Sequence, residues 1–424
     1  MPEDQSQTQL ETQRDSRAAF RFPSFQRYLV VRLLTTLSSE MQSVAVGWQI
    51  YSITHRPLDL GLAGLAQFLP AVCLFLWAGH LSDRLPRKRI LLACLISFAA
   101  CSAFLLVFAV RGVATVYPIY AVLLMNGTVR AFNAPAAQSF LPLILPREVF
   151  ANAVSWNSSA FQVSTIAGPM IGGILYGITG SPQYVYGCAM AAYSAAAVAL
   201  SGVQLAAGAT PKAVEAAANI LGGLRYIWHN KLVLGAISLD LFAVLLGGAV
   251  ALLPVYAREI LQVGASGLGL LRSAPGIGAV LTSVIVAHWP LRRKAGLAMM
   301  WCVCAFGAAT MAFGLSRNLA LSLGMLLLLG AADTVSVIVR STMIQLSTPD
   351  TMRGRVSAVN MVFIGASNEV GQFESGLTAH WFGTVPAVVL GGVGTIVIVA
   401  LWAWLFPGLR TLDRLDAIKT EGAG

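Results

Sequence analysis

The 424-residue chain is 57% hydrophobic and only 11% charged, and its formal net charge is +10. A water-soluble domain carries roughly a quarter charged residues, so lipid is the solvent for most of this chain. The apolar runs are continuous and do not alternate, which excludes a membrane barrel and leaves spanning helices of about 20 residues.

The first twenty residues are polar and lack an apolar core segment, so residues 1–26 read as a cytoplasmic tail and not as a signal peptide. Apolar spans follow at 27–51, 58–81, 88–110, 114–137, 151–178 and 183–207, which make a first six-helix bundle over 27–207. A more polar linker at 208–232 contains "VEAAANILGGLRYIWHNK", which patterns as an amphipathic helix on the cytoplasmic surface. A second bundle over 233–407 takes spans at 233–257, 266–289, 295–315, 319–344, 354–382 and 385–406, and residues 408–424 form a second cytoplasmic tail. The fold class is an all-α membrane protein of twelve transmembrane helices in two bundles.

Orientation follows from the basic residues. With the N-terminus in the cytoplasm, only Arg56, Arg111, Arg258 and Arg317 fall in the opposite loops. The positive charge is thereby explained by topology, without a nucleic-acid partner, and a multi-pass protein of a bacterial-type inner membrane is expected. The six cysteines all lie in apolar spans with no paired metal spacing, so they read as packing residues, and no metal or cofactor is expected.

The halves repeat in parallel. A shift of 203 pairs Pro146 with Pro349, Asn157 with Asn360, Gly168 with Gly371 and Gly173 with Gly376, and a shift of 205 pairs Pro70 with Pro275. Two repeated six-helix halves describe a transporter whose site lies between them.

The turn "GHLSDRLPRKRILLACL" at 79–95 places Asp83 and Arg84 four and five residues after Gly79, followed by Arg87, Lys88 and Arg89. In the turn after the second of twelve spans, this resembles the cytoplasmic signature of the major facilitator superfamily. "FNAPAAQSFLPLILPRE" and "GPMIGGIL" resemble its enterobactin-exporter and macrolide-efflux branch. Pro86 stands where the family usually has Gly or Asp, and His288 stands where the second half would repeat Asp83. The resemblance implies a secondary transporter for a small molecule, coupled to protons and functional as a monomer. It also implies that Asp83 latches the cytoplasmic side, the alternative being a topogenic turn with an incidental acid. Gly168, Pro169, Gly172 and Gly173 match a pattern that accompanies antiporters; the alternative is tight packing of helices five and eight.

Charges within spans are costly unless paired or facing water. Those singled out are Glu40, Arg130, Asp240, Asp333, Arg340, Glu369 and Glu374. Arg32 reads as snorkelling to the cytoplasmic end. Glu40 is the candidate proton carrier, since desolvation favours its neutral form and a nearby cation its charged form; the alternative is a glutamate held by Ser38, Ser39 or Gln42. Arg130 and Asp333 are mates at the 203 shift, and Arg340 shares a helix face with Asp333. Asp240 could instead be a half-buried residue at a helix start. Gln42, Trp48, Gln67, Phe68, Asn126, Asn133, Trp156, Asn360 and Gln372 are candidate cavity residues, most of them expected to pack.

Other classes fare worse. No lysine follows a glycine, which excludes a Walker-type ATPase. The five histidines are scattered, which disfavours an enzyme. An importer, a uniporter or a non-transporting sensor on the same fold stays open beside the exporter.

Overall fold

A computed structural model describes residues 17–205, 220–289 and 294–413. No strand occurs among them. The first half forms α1 (Pro23–Thr54), α2 (Pro57–Arg84), α3 (Arg87–Val110), α4 (Tyr117–Gln138), α5 (Phe150–Thr179) and α6 (Pro182–Ser201). A short α7 (Ile220–His229) leads into α8 (Lys231–Leu246), α9 (Gly264–His288), α10 (Ala295–Leu315), α11 (Leu319–Ser347), α12 (Asp350–Phe382), α13 (Thr384–Leu405) and a final turn, α14 (Pro407–Thr411).

Several boundaries have a local cause. Ser181 caps α6 by accepting from the Gln183 amide, with Pro182 in the first turn. Asn230 caps α8 through the Leu232 and Val233 amides, and Asn318 caps α11 through those of Ala320 and Leu321. Gly180 closes α5 in the left-handed region at φ 65°.

Nine segments among the described residues are long and apolar enough to span a bilayer. The more polar α1, α4 and α12, of 32, 22 and 33 residues, bring the long helices among the described residues of this multi-pass membrane protein to twelve. They are the helices that carry Glu40, Arg130, Glu369 and Glu374.

The span expected at 233–257 is not one regular helix. α8 stops at Gly247, and the chain continues through a 3-10 turn (Ala249–Leu252), one α-turn (Leu253–Val255) and a π-helical turn (Tyr256–Ile260). Gly247 and Gly248 are weak helix formers and Pro254 lacks an amide proton, and glycine is required at the first two because Cβ atoms there would lie 2.5 Å from the Phe306 ring and 2.6 Å from Ser375 Oγ. Hydropathy registers none of this.

The chain divides into two compact units, one comprising Met1–Gln49 and Ala66–Val214, the other Ile50–Leu65 and Glu215–Gly424. Each shows the same internal packing. In the first, a Cβ at Gly127 of α4 would lie 2.1 Å from the Gln67 carbonyl of α2; in the second, one at Gly330 of α11 would lie 2.0 Å from the Pro275 carbonyl of α9. These glycines are themselves 203 residues apart. Likewise Gly168 of α5 packs on α1 at Leu37 and Glu40, while its repeat-mate Gly371 of α12 packs on α8 at Val244 and Leu245. The repeat is thus carried by backbone contacts that only glycine permits.

α7 has one buried and one exposed face. Ile227 is buried, the Tyr226 hydroxyl donates to the Ser347 carbonyl at 2.6 Å, and Trp228 is exposed. The linker residues before it, 206–219, lie outside the described residues.

Candidate functional site

The basic turn joins the end of α2 to the start of α3 at Pro86, whose φ of −58° suits the entry to a helix. Arg87 is only 8% exposed and donates from Nη1 to the Ser139 carbonyl at 3.0 Å, at the end of α4. Lys88 Nζ donates to the Ser201 and Val203 carbonyls at 2.8 and 2.7 Å, at the end of α6, where the Arg27 guanidinium also binds the Gly202 carbonyl. Cations here complete orphan carbonyls and oppose the negative ends of two helix dipoles. Sequence reading saw a topogenic cluster and missed these caps, because it does not show which helix ends meet the turn. Arg84 and Arg89 are exposed. Gly79 has nothing within 4 Å of where a Cβ would stand, and the side chain of Asp83 lies outside the described residues.

In the first unit Glu40 lies half-buried under the Gly-Pro segment of α5. A Cβ at Gly168 would fall 2.5 Å from Glu40 Cβ, and one at Gly172 would fall 2.8 Å from Met41 Cα. Gly168, Pro169, Gly172 and Gly173 are all buried. Within the first unit the partner of Gly168 and Gly172 is α1. Of the neighbours expected to hold Glu40, Ser38 Oγ makes no hydrogen bond, Gln42 Oε1 accepts from Ser102 at 2.6 Å, and Ser39 bonds to the Tyr193 hydroxyl. Glu40 and Arg130 both lie close enough to that hydroxyl to act on it electrostatically. Arg130 is exposed, and its Nη1 stands 3.5 Å from Gln67 Oε1. Arg32 does not simply snorkel: its Nε donates to Asn157 Oδ1 at 3.1 Å.

In the second unit Arg340 pairs with Asp240, a contact between α11 and α8 that leaves the two residues 2% and 8% exposed. Asp240 is therefore a buried mid-helix residue and not a helix-start residue. Asp333, two turns before Arg340, lines a small cavity with Asp240, Val303, Phe306 and Ser336. On α12, Glu374 accepts from the Thr378 hydroxyl at 2.7 Å, and Glu369 stands beside Gly64 of α2. No cluster of metal-ligating side chains occurs among the described residues.

The arrangement is two helical units, each with charged groups at mid-helix, and among the described residues no convergent nucleophile is seen. Comparison with known proteins agrees. A family model described as a transmembrane secretion effector matches residues 15–421. The chain is 26% identical to the enterobactin exporter EntS of Escherichia coli O157:H7 (strain EC4115 / EHEC) over 413 residues, which covers 95% of this chain and 96% of that protein. Its fold is similar to that of a bacterial homologue of the human lysosomal transporter Spinster in an inward-facing, occupied conformation. The TM-score is 0.72 at 13% identity, covering 92% of this chain and 98% of that one. It is also similar in fold to a D-xylose-proton symporter, with a TM-score of 0.65 at 14% identity and coverage of 92% and 98%. The chain belongs to the transmembrane secretion effector family of major facilitator superfamily transporters, and it is not an enzyme.

Proposed function

We propose that this protein is a proton-driven exporter of a small amphiphilic molecule, siderophore-like or drug-like, working by alternating access as a monomer in a bacterial inner membrane with both termini in the cytoplasm. The observation that carries the reading is the likeness to an enterobactin exporter along nearly the whole of both chains. The seating of Glu40 against Gly168 supports it, since a carboxylate on the antiporter-type segment would couple its charge state to the packing of α1 on α5.

Uphill export requires a carboxylate whose proton leaves when substrate or an arginine approaches, because only differential stabilisation of two states moves an equilibrium. Glu40 and Arg130 supply a carboxylate and a cation around Tyr193 in one half. Asp83 would supply the latch that closes the cytoplasmic side and breaks once per cycle. The coupled importer is the second reading, favoured by the same fold serving a proton symporter. Inside-out vesicles loaded with this protein separate the two, with enterobactin and an amphiphilic dye as probes. An exporter accumulates probe when the lumen is acidified, and an importer extrudes it.

A further inference from the structure

The cavity between α8, α10 and α11 has room for about one water-sized group, far too small for an amphiphilic substrate. Its polar lining is unequal. Asp240 is neutralised by Arg340. Asp333 faces the same space with no hydrogen bond or ion pair among the described residues. From this geometry we infer that Asp333 holds a proton in this state, and that Arg340 moves from Asp240 to Asp333 when the proton leaves, making the three residues a proton site of the second half.

The surroundings carry the argument. α8 presents Asp240 as its only charged residue in the contact, and α10 presents the apolar Val303 and Phe306 to the cavity, with Cys302 and Cys304 as its titratable neighbours. α9 packs on α11 through Pro275 and Gly278; its Arg272 lies one turn before that contact and His288 nearly three turns beyond it, and neither lines the cavity. Arg340 is therefore the cation within the cluster, and it is already spent on Asp240. A carboxylate left in apolar surroundings without a cation takes up a proton and becomes neutral.

The exchange needs no movement of the backbone. Side chains on a helix tilt toward its N-terminus, so a long side chain at Arg340 is directed to the side of the helix where Asp333 lies, two turns or about 10.5 Å earlier. Asp240, the present partner of Arg340, and Asp333 line the same small cavity, so the guanidinium has its second acceptor next to its first. The proton released from Asp333 is balanced by the arriving cation, and Asp240 takes a proton as it loses that cation. Charge within the cluster is then conserved while the α8–α11 contact is remade.

As a step in export this site rests on the proton-driven reading, but its test does not, since it reads the proton directly. Infrared spectra of the purified protein in lipid at neutral pH should show a protonated carboxyl band that disappears in Asp333→Asn. Asp240→Asn leaves Asp333 in place and frees Arg340 to pair with it, so the same band should also disappear. The double variant Asp240→Asn, Arg340→Gln removes the cation, and the band should return. A band absent from the parent, retained in Asp333→Asn, or unchanged by Asp240→Asn would overturn the assignment, whether or not export proves to be proton-driven.

Discussion

Gly168 on α5 and Glu40 on α1 touch without a spacer: a methyl group on Gly168 would lie 2.5 Å from Glu40 Cβ and 3.1 Å from the Leu37 carbonyl. Neither the helix backbone nor the first carbon of a side chain can yield by that much, so α5 approaches α1 only because residue 168 is glycine. Gly168→Ala should therefore destabilise the protein by about 1–3 kcal/mol, the usual cost of overpacking a filled interior. Gly187→Ala on α6, where a Cβ meets nothing within 4 Å, should be neutral or slightly stabilising. Thermal unfolding in detergent checks both, and equal melting of the two variants would contradict the contact.

The caps at the basic turn make a second prediction. Arg87→Met removes a buried charge-assisted hydrogen bond to the end of α4 and should cost about 1.5–3 kcal/mol. Lys88→Met removes two charge-assisted hydrogen bonds from the end of α6, one exposed and one part-buried, and should cost about 1–2 kcal/mol. Arg89→Gln, at an exposed position, should stay within about 0.5 kcal/mol of the parent. If the cluster served topology alone, the three would melt alike.

The buried pair Asp240–Arg340 should behave asymmetrically. Arg340→Gln deprives the buried Asp240 of its cation, so that the carboxylate must either stay charged without a partner or take up a proton, and the change should cost about 3–5 kcal/mol. Asp240→Asn should cost less, because Asp333, which lines the same cavity as Asp240, is then available to Arg340 as a second partner. The double variant should regain most of the loss of Arg340→Gln, giving a coupling energy above about 1 kcal/mol in a double-mutant cycle by thermal unfolding. Additive losses would mean that the pair does not exist.

Much of this was legible in the sequence, for reasons that differ from residue to residue. Long apolar runs fixed eleven of the twelve long helices to within a few residues, because lipid penalises any unpaired backbone group and so forces one helix per run. The exception, after Leu246, failed because Gly247, Gly248 and Pro254 break a helix without lowering its hydropathy. The 203-residue shift was readable because Gly168 and Gly371 have the same packing task in each half, and Gly127 with Gly330 could have been added by the same alignment. Side-chain partners were less accessible. The period of α11 puts Asp333 and Arg340 on one face, yet Arg340 is taken by Asp240 on α8, and no periodicity within one helix reveals what the next helix presents. The same limit hid the carbonyls that Arg87 and Lys88 bind.

Asp83→Asn tests the latch that the family resemblance implies. Expression and insertion should stay near parental, while transport falls tenfold or more, which corresponds to about 1.4 kcal/mol lost from one gating state. Flux measured per folded molecule decides this, and parental flux would leave the aspartate without a gating role.

The central claim, proton-driven export, is tested most directly by paired flux measurements on inside-out vesicles holding the parent or Glu40→Gln, with enterobactin and an amphiphilic dye as probes. The parent should accumulate probe when the lumen is acidified and release it when a protonophore collapses the gradient. Glu40→Gln should bind probe within about an order of magnitude of the parent, since the amide mimics the protonated acid, yet should fail to accumulate it. Parental probe movement that is the same with and without the gradient, or undiminished uphill accumulation by Glu40→Gln, would contradict the account.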